Sequence, residues 1–306
     1  MISYFSRKEK NTHMQTVDAE SSDVWIAVTA LDEADIAYLV ERHSFSDAIL
    51  RDAQDFFEVP RVEYEDDVTY FFTRYPLPDG GEDSTAPLLI AITKGKVLTV
   101  TPNEPQFLSQ LRTGVSDALT TDATNFFIHL MRMVEVSFAR SLTTIRKEVN
   151  RTRVTINNIT NKDIERFVVL EGVVNDFTST LIPTSAALET VLSGKWLQLH
   201  EDDKDFVEDL AIATRQTIES AKTVGRTIEN IRSAYSMILS NRLNKTVETL
   251  TTLTVIFTIP MAIASIYGMN VPLPFADQQH AFWIVLCIIL LASGSAAYLL
   301  MHNKRA

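Results

Sequence analysis

Two long stretches without a formal charge lie near the end of this chain, and they constrain it more than any other feature. Leu250–Tyr267 runs for eighteen residues and Ala281–Met301 for twenty-one. At about 1.5 Å of rise per residue, each is long enough to cross a hydrocarbon core of about 30 Å as a helix. Of the 28 basic and 39 acidic residues, all but Lys304, Arg305 and Asp277 precede the first stretch. What comes before the spans is therefore strongly acidic. That balance argues against nucleic acid as a partner and against adhesion to an anionic bilayer surface, and it suits cations.

The flanks set an orientation. Arg242 and Lys245 precede the first span, Lys304 and Arg305 follow the second, and the connection 268–280 holds no Lys or Arg. The positive-inside rule then predicts a hairpin in the cell (inner or plasma) membrane with both termini in the cytoplasm. The opening "MISYFSRKEK" has no apolar stretch, so no secretory signal is expected. The only cysteine, Cys287, lies in the second span and is expected to be packing. The six histidines (His13, His43, His129, His200, His280, His302) lack metal-ligand spacing, and no glycine-rich phosphate loop is present. Neither an enzyme nor a prosthetic group is expected.

The expected fold class is α+β/α with two C-terminal transmembrane helices. Residues 1–120 read as a cytoplasmic α/β domain. "VWIAVTA", "RVEYE", "VTYFFTRY" and "KVLTVT" have strand length or alternation, while "DEADIAYLVERH" and "SDAILRDAQDFF" read as short helices. "PLPDGGEDSTAP" reads as a turn-rich loop. Residues 121–249 read as helical. Met131, Val134, Phe138, Leu142, Ile145, Val149 and Ile156 form one stripe. Phe167, Leu170, Val174, Phe177, Leu181, Thr184, Leu188 and Val191 form the next, opened by a Thr160–Asp163 capping box, kinked at Pro183 and stopped at Gly194. A third helix from about Asp202 carries the seam Val207, Leu210, Thr214, Thr217, Ala221, Val224, Ile228, Ile231, Tyr235, Ile238 and meets no proline until Pro260. It is expected to run unbroken into the first span, 250–267, as a stalk that packs on copies of itself. An external loop (268–280), the second span (281–301) and a cytoplasmic tail (302–306) complete the chain.

Within the first span the three-four rhythm continues through Asn244, Val247, Thr251, Thr254, Thr258, Met261 and Ser265. A polar stripe on one face of a membrane helix fits a water-filled pore lined by several copies. It also fits threonines that bond back to their own helix or hold neighbouring helices together.

Where that span ends, "YGMN" (Tyr267–Asn270) resembles the signature of the CorA family of divalent-cation channels. "SNRLN" (Ser240–Asn244) and "PRVEYEDDVTYFFTRYP" (Pro60–Pro76) extend the likeness over nearly the whole chain, least before Asp23. The resemblance implies a funnel-shaped homopentamer that takes up Mg²⁺, with Co²⁺ or Ni²⁺ as alternatives. Mg²⁺ would be cargo and regulatory ligand. Gly268, Met269 and Asn270 would form the external selectivity site. Asn244, Leu250 and Thr258 would line the inner pore, with Leu250 in a hydrophobic constriction. A ring of neutral Asn270 amides can accept hydrogen bonds from the water shell that Mg²⁺ gives up reluctantly, without holding the ion as tightly as carboxylates would. "HEDDKDFVEDL" (His200–Leu210) gathers six carboxylates. Asp209 aligns with a sensing position of the family, and Asp205 and Glu208 lie beside it. Acids also favour a helix N-terminus without any such role. The loop "VPLPFADQQ", with Asp277 its only acid, departs from the family's usual Met-Pro-Glu-Leu. That keeps a zinc transporter of the ZntB-like branch as an alternative, beside a non-conducting membrane scaffold.

Overall fold

The computed structural model describes residues 1–9, 13–78, 83–113, 117–154, 159–197, 199–271, 273–274 and 279–302, without the side chains of 153, 154 and 300–302. The chain divides into two compact units, Met1–Arg232 and Ser233–Ala306.

The first unit is built on a seven-stranded sheet: β1 (Ile2–Ser6), β2 (Gln15–Thr16), β3 (Val24–Thr29), β4 (Arg61–Glu65), β5 (Val68–Pro76), β6 (Thr85–Thr93) and β7 (Lys96–Thr101). Its order is β2-β1-β3-β7-β6-β5-β4, and only the β3–β7 pair is parallel. Between β3 and β4 lie α1 (Glu33–His43) and α2 (Asp47–Asp52). They cover one face through Ile36, Leu39, Ile49 and Leu50, against Ile26, Tyr70, Phe72, Leu89 and Leu98. Successive strand residues point to opposite faces. Trp25 and Phe71 accordingly face the other way, onto Phe126 and Phe127, with ring centroids 5.6 and 5.2 Å apart. Those two phenylalanines belong to α4 (Ala123–Val154), which follows α3 (Gln106–Arg112). The sheet is sandwiched, and this is why β5 and β6 are buried along nearly their whole length.

Three expectations need correction. The strands β1, β2 and β6 lie outside the predicted set. Part of the expected loop 76–87 is strand, since β6 begins at Thr85 and includes Pro87. Proline is tolerated there because the β6–β7 register covers only Leu89–Thr93, so its missing N–H breaks no bond to β7. The helix expected over 46–57 is the single turn and a half of α2. The chain then leaves it, tied down by Arg74. That buried guanidinium bonds the carbonyls of Phe56, Glu58 and Thr85.

The helices follow their stripes. Phe138 of α4 meets Phe177 edge-on, centroids 5.0 Å apart; Ile156 lies outside the described residues. α5 (Asn161–Leu192) buries the whole predicted stripe from Phe167 to Val191 and runs on through Pro183. Asp163 takes both the Thr160 N–H and its hydroxyl, at 2.8 and 2.7 Å. Those bonds hold its carboxyl below the usual range. Gly194, just past the end, has φ +69°, a conformation that glycine adopts without strain. α6 (Glu201–Tyr267) is one helix of 67 residues, about 100 Å long. Its seam is buried from Val207 to Ile231. Tyr235 and Ile238, in the second unit, are only half-covered, and 241–250 is exposed throughout. α7 (Ala281–His302) completes the chain.

Candidate functional site

Two described helices, α6 and α7, are long and apolar enough to cross a membrane. In the second unit, partial cover on the α6 span falls on Thr252, Val255, Ile256, Ile259, Pro260, Ile263 and Tyr267. On α7 it falls on a face that includes Val285, Ile289, Ala292, Ser293, Ala296 and Ala297. Small side chains on that second face let helices approach closely. Phe282 and Trp283, stacked edge-on with centroids 5.4 Å apart and both exposed, open α7. Aromatic residues of this kind favour the membrane–water boundary.

The polar stripe is elsewhere on α6. Asn244, Val247, Thr251, Thr254, Thr258, Met261 and Ser265 are all exposed. At 3.6 residues per turn, the centre of this stripe lies about 150° around the helix from the centre of the half-covered face. Leu250, 65% exposed, stands one residue off the stripe. The hydroxyls bond locally: Thr251 Oγ1 donates to Val247 O at 2.8 Å, Thr254 to Leu250 O at 2.9 Å and Thr258 to Thr254 O at 2.7 Å. This back-bonding explains how threonine is tolerated in an apolar span, whatever the face meets. It leaves each oxygen's lone pairs open.

Beyond Tyr267 the helix unwinds in steps. Gly268 N donates to Ala264 O at 3.0 Å and to Ser265 O at 3.2 Å, and Met269 N donates to Ile266 O at 3.1 Å. The Tyr267 hydroxyl reaches over to Pro274 O at 3.2 Å and pins the start of the loop. Asn270 is exposed, and its amide bonds no described residue. It is also absent from the described residues with positive φ, which sets aside a left-handed helix cap as the reason for an asparagine here. Within one copy Gly268 has room for a side chain. A Cβ added there would meet Ala264 O and Ser265 O at 3.5 Å, an ordinary contact. Pro272, Asp277, Lys304 and Arg305 lie outside the described residues.

The acidic cluster at the start of α6 separates into parts. Asp203 is buried and accepts from His200 N at 3.2 Å, capping the helix. Glu201 pairs with Lys204 at 2.7 Å, which holds its carboxyl below the usual range. Asp205, Glu208 and Asp209 are exposed, without an ion pair to any described residue. Among the described residues of one copy, no three His, Cys, Asp or Glu side chains converge to hold a metal.

Comparison with known proteins gives consistent matches. The family model described as "CorA-like Mg2+ transporter protein" matches residues 20–305. The cobalt/magnesium transport protein CorA of Methanocaldococcus jannaschii is 24% identical over 276 residues, 87% of this chain and 86% of that protein. The complete structure of the CorA magnesium transporter from that organism matches with TM-score 0.85 at 21% identity, over 100% of this chain and 97% of that one. The structure of the full-length CmaX protein matches with TM-score 0.79 at 16% identity, over 100% and 98%. At these identities the two structures show a shared fold.

Proposed function

The chain belongs to the CorA-like Mg²⁺ transporter family, and from that premise we propose that it is a passive channel with Mg²⁺ as its principal cargo. The family and the matched relative are transporters, so the chain moves divalent cations and is not an enzyme. Identical copies, five by the resemblance, gather their α6 spans about one axis. Thr251, Thr254, Thr258, Met261 and Ser265 face inward, with Asn244 and Leu250 nearer the cytoplasm. Gly268, Met269 and Asn270 ring the outer mouth, where the Asn270 amide, bonded to no described residue, accepts from the ion's bound water. The space that Gly268 leaves open belongs to the approach of neighbouring copies. Both termini lie in the cytoplasm, by the placing of Arg242 and Lys245.

The observation that carries this reading is the polar face of α6, uncovered and turned away from the half-covered face of the same helix. A wet axis shared by several copies would satisfy such a face better than lipid would. No nucleotide is required, because a divalent ion moving fully inward gains about 4.6 kcal/mol per 100 mV. Co²⁺ and Ni²⁺ are the proposed alternative cargoes, the first because the relative is named for cobalt as well as magnesium. Intracellular Mg²⁺ closes the channel by bridging Asp205, Glu208 and Asp209 to a neighbouring copy.

The test is Mg²⁺ uptake by the full chain in proteoliposomes under an interior-negative potential. Uptake blocked by hexaamminecobalt, a mimic of hydrated Mg²⁺, is the expected result. Flux of Zn²⁺ alone, following a pH gradient, would contradict Mg²⁺ as cargo, and no ion flux at all would contradict the channel.

A further inference from the structure

The three threonines of the polar face share a property beyond being hydroxylic. Each hydroxyl owns one proton and two lone pairs. Thr251, Thr254 and Thr258 have all committed that proton to a carbonyl one turn earlier in their own helix. What each oxygen then offers its surroundings is acceptance alone. Thr246, Thr249 and Thr252, off this face, bond back in the same way, so the bond itself marks no pore. What distinguishes these three is their alignment: their oxygens fall within about 60° of one another around the helix, along about 10 Å of its axis. Ser265, on the same face, bonds no described residue through its hydroxyl, which can turn either way.

Resting on the pore reading above, we infer that Thr251, Thr254 and Thr258 form acceptor-only rings that select the sign of the passing ion's charge without carrying charge themselves. Water held by Mg²⁺ turns its oxygen to the metal and its protons outward. A wall of lone pairs accepts those protons and leaves the shell intact. Water around an anion spends one proton on the anion and turns its lone pairs outward, so it offers the wall half the donors that metal-bound water does and sets lone pairs against lone pairs. The backbone bond also fixes the side-chain rotamer, so the oxygens need not reorient as an ion passes. Carboxylate rings would select the same sign but hold the ion longer.

The test compares two triple variants of the full chain, both checked for unchanged elution as an assembly. Thr251→Val, Thr254→Val and Thr258→Val together remove the oxygens at nearly constant shape. The corresponding triple serine variant keeps the oxygens and the backbone bonds. Mg²⁺ flux in proteoliposomes should fall at least about tenfold with valine and stay within about threefold with serine. In planar bilayers under a MgCl₂ gradient, the single Thr254→Val variant should shift the reversal potential towards that of chloride. The inference is overturned if the triple valine variant conducts like the unaltered chain with its reversal potential in place. It is equally overturned if serine loses as much flux as valine. Should Asn270→Ala also leave flux untouched, the pore reading beneath the inference fails with it.

Discussion

At the C-terminal end of α1, His43 is held in a single protonation pattern by its neighbours. The Lys96 ammonium, which can only donate, lies 3.3 Å from Nδ1, so Nδ1 accepts. Nε2 therefore carries the proton and gives it to the Tyr4 hydroxyl at 2.9 Å, and Tyr4 in turn donates to Tyr38 at 3.3 Å. Burial, then the charges of Lys96 and Arg42, push the His43 pKa down to about 4. The unfolded chain binds this proton near pH 6.5, so the associated stability is complete above about 6.5 and drains away as pH falls to about 4. His43→Gln should flatten the pH dependence of unfolding across that window by roughly 2–3 kcal/mol, read from denaturant titrations at both ends. At the other end of the chain, Asn270 bonds nothing described, so Asn270→Ala should leave unfolding unchanged. Mg²⁺ uptake should drop by at least about tenfold, a split between stability and flux that a structural asparagine would not give.

The helices were the legible elements. The α5 stripe is buried from Phe167 to Val191, and α6 starts at Glu201 and runs unbroken to Tyr267. A three-four rhythm over many turns has no strand counterpart, and that is why it could be read. β6 was not legible because a strand buried on both faces shows no alternation, and its Pro87 and preceding turn residues read as loop. As expected, α5 continues past Pro183, with Leu181, Thr184, Ser185 and Leu188 buried around it. For the candidate site, the rhythm picked out a face that the structure leaves exposed, and the motif singled out Asn270, also exposed. What no periodicity could convey is which groups already have partners, and this separates Asp203, a cap, from Asp205, Glu208 and Asp209, which pair with no described residue. The cap of α5 offers a quantitative check. Replacing Asp163 with alanine leaves the Thr160 N–H unpaired and should cost about 1 kcal/mol, measured by denaturant unfolding.

In the whole molecule, an acidic unit, Met1–Arg232, is joined through one helix to a nearly uncharged hairpin. Under the proposed function, the exposed carboxylates of α6 and its uncovered polar face both meet copies of the same chain. If Mg²⁺ bridges those carboxylates between copies, Asp209→Lys should abolish inhibition of the current by intracellular Mg²⁺ while conduction persists; unchanged inhibition would remove Asp209 from the gate. The central claim is that the polar face of α6 borders water on a shared axis, and cysteine accessibility tests it most directly. With Cys287 replaced by serine, single cysteines are placed along α6 in the full chain in lipid, and a charged, water-soluble thiol reagent is applied. The account predicts labelling and loss of Mg²⁺ flux at positions 251, 254 and 258, and protection at 256, 259 and 263. Labelling of the second set with the first set protected would contradict it.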